Sequence, residues 1–310
     1  MKNSFYWKLI ALVFVGAIVF TQIFDLKFEN KESGPALSLK LRSGLLGADK
    51  NKEEPQEPDQ ALLEEEVLPL AGVVIPLKWG DLGKRMIEKG VIDSEKFESI
   101  YQLRGGLNNY EKALLYAENN DSIKIDKDNS GFILNLLWAF GLANKNPILE
   151  QGPMMDPKYG GAGRFASTGG WVIAKSDAMD YYSQYEFIKL TEEQQKLVEE
   201  VSKNIYRPCC GNSTYFPDCN HGLAMFGLLE LLAAQGLSEE EMYKIALKVN
   251  SYWFPETYLT LAKYFEKRGV AWAEVEPKEV LGSVYSSASG YQEILKEIKP
   301  VSLPSGGCGV

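Results

Sequence analysis

The chain of 310 residues has only one histidine and four cysteines, and it contains no cluster of lysines and arginines. Its formal net charge is −9 at pH 7. Proteins that bind nucleic acid usually present a basic face to the phosphates, so this composition argues against nucleic acid as a partner. The acidic balance is otherwise typical of a surface that stays soluble.

Long apolar runs are also scarce, and one run alone is predicted to span a membrane. It is LIALVFVGAIVFTQIF, residues 9–24, and as a helix its roughly 16 residues would extend about 24 Å. Lys2 and Lys8 precede the run. The positive-inside rule therefore predicts that residues 1–8 lie in the cytoplasm and that the bulk of the chain is extracytoplasmic. The expected location is the cell membrane, with a single span.

The sequence lacks an A-x-A-like cleavage site after this run, and no lipoprotein cysteine follows it. An uncleaved signal-anchor is therefore favoured, and a cleaved signal peptide is the alternative. In either case the folded part would lie in a compartment where disulfide bonds form.

The rest of the chain divides by composition into a stalk, a globular domain and a tail. Residues 25–67 are rich in Glu, Lys, Gln and Pro, which predicts a disordered acidic stalk. Residues 68–299 are predicted to form a mainly α-helical globular domain. Within that domain, residues 147–177 carry many glycines and no helical period, which indicates a long ordered loop. Residues 300–310 form a Gly-rich, flexible tail.

Several helices are predicted from apolar spacing and from capping patterns. Thr191 with Gln194, and Ser238 with Glu241, have the spacing of capping boxes. The segment at 128–143 is predicted to be a buried helix that begins at Asp128, Asn129 or Ser130, and the segment at 221–236 is predicted to be a strongly apolar helix that stops at Gly236. The second of these would begin at Asp218 or Asn220 as N-cap.

The soft metal ligands of the chain concentrate in one stretch, RPCCGNSTYFPDCNHGLAM, at positions 207–225. Thiolate and imidazole suit zinc, and together with a thioether they suit copper. A loop that leads into a helix N-terminus would also lower the pKa of ligands at that end. The sequence therefore predicts a copper or zinc site. Its predicted ligands are Cys209, Cys210, Cys219 and His221, with Met225 as an additional ligand and Cys308 of the tail as a residue that delivers or receives the ion.

The order of Cys219, His221 and Met225 resembles the copper loops of cupredoxins and of respiratory-oxidase copper domains. That resemblance implies copper ligation by these three residues. Those domains are β-barrels with a further histidine ligand, whereas this chain has one histidine in surroundings predicted to be helical. The resemblance is therefore confined to the three residues.

Two other classes of function use the same residues. One is a thiol–disulfide or cysteine-nucleophile enzyme. The other is a structural or interaction domain held by disulfide bonds, in which Cys209 or Cys210 pairs with Cys219 and the remaining cysteine pairs with Cys308. The predicted partners are the membrane, through the N-terminal helix, and a metal-donor or redox protein.

Overall fold

The structure is a computed structural model that describes residues 24–31, 34–41 and 58–303. The chain divides into two compact units, residues 1–57 and 58–310. The first unit contributes two strands to the described residues, and the second contains the candidate site.

The described part of the first unit is an antiparallel pair of strands, β1 (Phe24–Lys31) and β2 (Gly34–Leu41). The stalk was predicted to be disordered from residue 25 onward, and these two strands correct that prediction for residues 25–31 and 34–41. The signal was in the sequence, since Phe24, Leu26 and Phe28 alternate with charged residues at the two-residue period of a strand.

The predicted membrane anchor lies outside the described residues, except that Phe24 is the first residue of β1. No helix in the described part of the chain combines the length and the apolar character needed to cross a membrane. The anchor therefore stays a prediction.

The second unit is mainly helical, as the sequence predicts, and its described residues include one small sheet. That sheet pairs β3 (Val73–Ile75) with β4 (Ile123–Ile125) in antiparallel fashion. The helices are α1 (Pro58–Val67), α2 (Leu82–Lys89), α3 (Ser94–Ser99), α4 (Asn109–Tyr116), α5 (Ser130–Ala143), α6 (Pro147–Gln151), α7 (Ala166–Gly169), α8 (Glu192–Asn204), α9 (Asn220–Ala234), α10 (Glu239–Trp253), α11 (Pro255–Glu266), α12 (Pro277–Val280), α13 (Ser283–Ser286) and α14 (Ala288–Ile294).

The helices α5 and α9 form the centre of the core, and they pack against each other over glycines. A Cβ on Gly141 of α5 would lie 2.2 Å from the carbonyl oxygen of Leu223, and a Cβ on Gly227 of α9 would lie 2.8 Å from that of Leu137. Nearly every residue of both helices is buried. Helices that are apolar on all sides belong in a core. Both predicted helices are confirmed, and so is the predicted burial of the first.

The capping predictions are confirmed for α8 and α10. Thr191 and Gln194 form a reciprocal capping box at the start of α8, and Ser238 and Glu241 form another at the start of α10. Each box satisfies backbone N–H groups that a helix N-terminus leaves unpaired.

The segment predicted to be a long Gly-rich loop contains regular structure. It holds α6 and α7, and between them lie three single turns of 3₁₀ helix, Pro153–Met155, Pro157–Tyr159 and Ala162–Arg164. Three prolines stand at the first position of these short elements, where their fixed φ favours a helical turn and no N–H is needed.

Candidate metal centre

The residues from Arg207 to Cys219, here called the cysteine loop, connect α8 to α9. Backbone hydrogen bonds fix this loop to the helices around it. They join Thr214 N to Ile205 O (2.8 Å), Ser167 N to Asp218 O (3.1 Å) and Ala288 N to Cys210 O (2.9 Å). A loop fixed to several elements presents its side chains in a defined geometry, which lowers the entropy cost of binding an ion.

Cys219 is the N-cap of α9, in place of the predicted Asp218 or Asn220. Its Sγ accepts a hydrogen bond from the backbone N–H of Gly222 at 3.4 Å. Asp218 does not cap the helix because its carboxylate is bonded within the cysteine loop. The sulfur of Cys219 therefore lies at the positive end of α9, which favours its thiolate form.

The side chain of Arg207, the first residue of the cysteine loop, is buried and holds the loop together through its hydrogen bonds. Its Nε donates to Cys219 Sγ at 3.0 Å, and its Nη2 donates to Asp218 Oδ1 at 2.5 Å. The same guanidinium donates to the carbonyl oxygens of Asn212 (3.2 Å) and Phe216 (3.0 Å). One side chain thus connects both ends of the loop and places a positive charge beside a cysteine sulfur.

The sulfurs of Cys209 and Cys219 are 3.7 Å apart. A disulfide bond requires about 2.05 Å, so the prediction of disulfides is wrong for Cys209, Cys210 and Cys219, all of which are free thiols. Two thiolates on a tetrahedral zinc ion with Zn–S bonds of about 2.3 Å are about 3.8 Å apart. The observed separation therefore matches an edge of a metal coordination tetrahedron.

His221 completes a trio with these two cysteines. Ligand atoms of Cys209, Cys219 and His221 all lie within 4.8 Å of one another, close enough to hold a metal ion. The side-chain oxygen of Asn220 accepts from the ring Nδ1 of His221 at 2.9 Å. The ring also packs against Phe254, with centroids 4.5 Å apart. Such outer contacts fix the orientation of a ligating imidazole.

A second trio overlaps the first and consists of Cys210, Asp218 and Cys219. Its carboxylate is already engaged, because Asp218 Oδ1 accepts from Arg207 and Oδ2 accepts from Asn212 Nδ2 at 2.8 Å. Asp218 therefore supports the loop and is a poor metal ligand. The trio that includes His221 has the better donor set.

The charge of the cluster is concentrated on one sulfur. Hydrogen bonds from Cys209 and Cys210, then from His221, and the positive charge of Arg207 hold the pKa of Cys219 far below its usual range. The pKa values of Cys209 and Cys210 are raised. For Cys209 the main cause is hydrogen bonding to Cys210 and Cys219. The metal-free cluster thus carries a thiolate at Cys219, the form that ligates metals.

Three other predicted ligands lie outside this trio, and one of them, Cys210, belongs to the second trio. Met225 is only 1% exposed and packs in the hydrophobic core. Cys308 lies outside the described residues. Their ligand roles stay predictions.

Sequence reasoning gave no role to Arg207 or Asn212 and considered Asp218 only as a candidate N-cap, although all three lie in the stretch at positions 207–225. The available signal was a single arginine and a single aspartate inside a short loop that is otherwise uncharged. Opposite charges in such a loop indicate an internal ion pair.

Neither a protein-family model, a curated protein nor a solved structure matches this chain.

Proposed function

We propose that the protein binds one soft metal ion, zinc or Cu(I), through Cys209, Cys219 and His221. The 3.7 Å separation of the two sulfurs supports this proposal most strongly, because it is the spacing that two thiolates on one ion adopt. The histidine adds a third donor within 4.8 Å of both sulfurs.

The donor set limits the identity of the ion. Thiolate and imidazole select zinc and Cu(I) over the hard cations magnesium and calcium, which prefer oxygen. Cu(I) is satisfied by two or three soft ligands, whereas zinc requires a fourth donor. For zinc that donor would be water or Cys210, whose sulfur lies within 4.8 Å of the Cys219 sulfur.

The exposure of one ligand supports a role in which the ion is exchanged with other proteins rather than bound permanently. Cys209 is exposed, whereas His221 is buried and Cys219 is half-buried. A donor or acceptor protein could reach the ion from the Cys209 side while the other two ligands hold it. We propose that this exchange takes place outside the cytoplasmic membrane, with the protein anchored by residues 9–24.

A competition titration of the full-length protein in detergent, under reducing conditions, tests the site. We expect one zinc or Cu(I) ion per chain in competition with a chromogenic chelator. Replacing one ligand, in Cys219→Ser or His221→Gln, should weaken binding by at least about tenfold to a hundredfold, because removing even an outer-shell partner has effects of that order.

Met225→Leu is the matched control, since it removes a thioether four residues from His221 without changing the size of the side chain much. Affinity that is unchanged in this variant excludes Met225 as a ligand. Affinity for both metals that is unchanged in Cys219→Ser and in His221→Gln would overturn the proposal.

A protease-protection experiment on intact cells tests the location. We expect an epitope placed after Val310 to be accessible from outside the cytoplasmic membrane and an epitope before Met1 to be protected. The reverse pattern would contradict an extracytoplasmic site.

A further inference from the structure

The sulfurs of Cys209 and Cys219 differ in accessibility although they are neighbours. Cys209 is exposed, and Cys219 is half-buried with its sulfur bonded to Arg207 Nε and to the N–H of Gly222. The two sulfurs need to approach by only about 1.7 Å from their 3.7 Å separation to reach disulfide length. An accessible sulfur beside a fixed, sheltered one is the arrangement of a reactive dithiol.

We propose that the metal-free protein carries a redox-active dithiol, in which Cys209 reacts with low-molecular-weight disulfides and Cys219 completes the exchange. This activity goes beyond metal binding and does not depend on it, because it needs only the two sulfurs and their distance. A bound ion would occupy both sulfurs. The loop would therefore either bind a metal or undergo thiol–disulfide exchange, but not both at once.

The reaction consists of two exchange steps. Cys209 passes its proton to the Cys219 thiolate, 3.7 Å away, and its sulfur attacks one sulfur of the external disulfide, which forms a mixed disulfide on Cys209 and releases one small thiolate. That thiolate then takes the proton from Cys219. The sulfur of Cys219 then attacks Cys209 Sγ and releases the second small thiolate. Two protein thiols are oxidised to one disulfide, and the external disulfide is reduced to two thiols.

Cys219 is better placed than Cys210 to complete the exchange. A bond between the adjacent residues Cys209 and Cys210 would close a small ring that strains the peptide between them. Cys210 Sγ also points toward the oxygens Asn212 O, at 3.9 Å, and Asp218 Oδ1, at 4.0 Å. Cys219 lies directly opposite Cys209, and its helix holds it there.

Full-length protein in a Cys308→Ser background, stripped of metal with a chelator and mixed with oxidised glutathione, tests the proposal. Samples are quenched in acid and analysed by intact mass and by peptide mapping. We expect two of the three remaining thiols to be lost together, and the linked peptides to contain Cys209 and Cys219.

The Cys219→Ser variant separates the two steps, and serine is itself a good N-cap, so α9 keeps its first turn. Here we expect one glutathione to stay bound at Cys209, with a lifetime at least about tenfold longer than that of the mixed disulfide in the parent, because the nearby attacking sulfur is gone. Cys210→Ser is the matched control and should still form the Cys209–Cys219 bond.

Three results would overturn the proposal. They are a link that maps to Cys210, a mixed disulfide that persists in the parent protein, and thiols that do not react at all. Each is independent of whether the protein binds a metal, because the experiment is carried out without one.

Discussion

Arg207 Nε donates a hydrogen bond to Cys219 Sγ across 3.0 Å, and this contact joins the first residue of the cysteine loop to its last. Burial lowers the pKa of the Arg207 guanidinium, but the negative charges of the Cys219 thiolate and of Asp218, and the hydrogen bond to Cys219, outweigh burial and raise it. The contact therefore fixes the loop and keeps the Cys219 sulfur negative at the same time.

Replacing Arg207 with methionine should destabilise the protein strongly. The substitution leaves Asp218 Oδ1 and the carbonyl oxygens of Asn212 and Phe216 without their donor. Breaking a buried ion pair in this way costs about 3–5 kcal/mol of unfolding free energy. Urea unfolding followed by circular dichroism measures the change.

Lys244→Ala is the control for the arginine variant, because it removes an exposed ion pair with Glu240 on α10. We expect no measurable change in the urea midpoint for this variant. If the urea midpoints of the Arg207→Met variant and the parent are equal, the hydrogen bonds of the guanidinium do not stabilise the folded loop.

Gly222 is predicted to be required because the guanidinium of Arg207 lies against it. A Cβ at this position would lie 2.6 Å from both Cζ and Nη2 of Arg207. Gly222→Ala should therefore displace the guanidinium from Cys219 and weaken metal binding by about tenfold, the lower end of the range for outer-shell changes. The chelator competition titration measures this loss.

Gly211→Ala is the matched control, since Gly211 lies in the same loop and an added Cβ there would meet nothing within 4 Å. Its metal affinity should equal that of the parent. A Gly222→Ala variant that binds metal as tightly as Gly211→Ala would contradict the role given to the contact between Arg207 and α9.

The helices were largely predictable from the sequence because their signals are local. The capping boxes at Thr191 and Ser238, and the apolar runs of α5 and α9, lie within single elements. The helix α4 was missed although Asn108 and Glu111 form the same kind of box. Short helices that begin at prolines were missed because they lack the length that reveals a helical period.

The candidate site was only partly predictable, for a physical reason. The spacing of Cys209, Cys219 and His221 indicated a shared site, and the structure brings these three together. The role of Arg207 depends on how the loop folds back on itself, and no local pattern encodes that. The same applies to Cys219 as N-cap, since both carboxylate oxygens of Asp218 are engaged by Arg207 and Asn212, whereas Cys219 Sγ still accepts from the N–H of Gly222.

Glu230 should make the stability of the protein depend on pH. It is fully buried on α9, and burial raises its pKa from 4.5 to about 8, although Asn144 and Asn146 donate to its Oε1. Below pH 4.5 the carboxyl is protonated in both the folded and the unfolded chain. Between pH 4.5 and 8 the unfolded chain ionises while the folded chain keeps the proton, so the free energy of unfolding falls by about 1.4 kcal/mol per pH unit.

The Glu230→Gln variant isolates this effect, because glutamine resembles the protonated acid and keeps the acceptor oxygen. Urea unfolding at pH 5 and pH 8 should show similar stability for variant and parent at pH 5 and greater stability for the variant at pH 8. Glu240→Gln, at an exposed position of α10, serves as the control. If the free energies of unfolding of the parent and of Glu230→Gln differ by the same amount at both pH values, Glu230 is not protonated in the folded chain.

X-ray absorption by the loaded protein is the most direct measurement of the proposed metal site. Full-length protein would be loaded with one equivalent of zinc under reducing conditions, desalted and measured at the zinc edge. A site formed by Cys209, Cys219 and His221 predicts retained zinc with at least two sulfur ligands at about 2.3 Å and an imidazole nitrogen at about 2.0–2.1 Å. A shell of nitrogen and oxygen without sulfur would contradict it, and so would the loss on desalting of both zinc and, in a parallel sample, Cu(I).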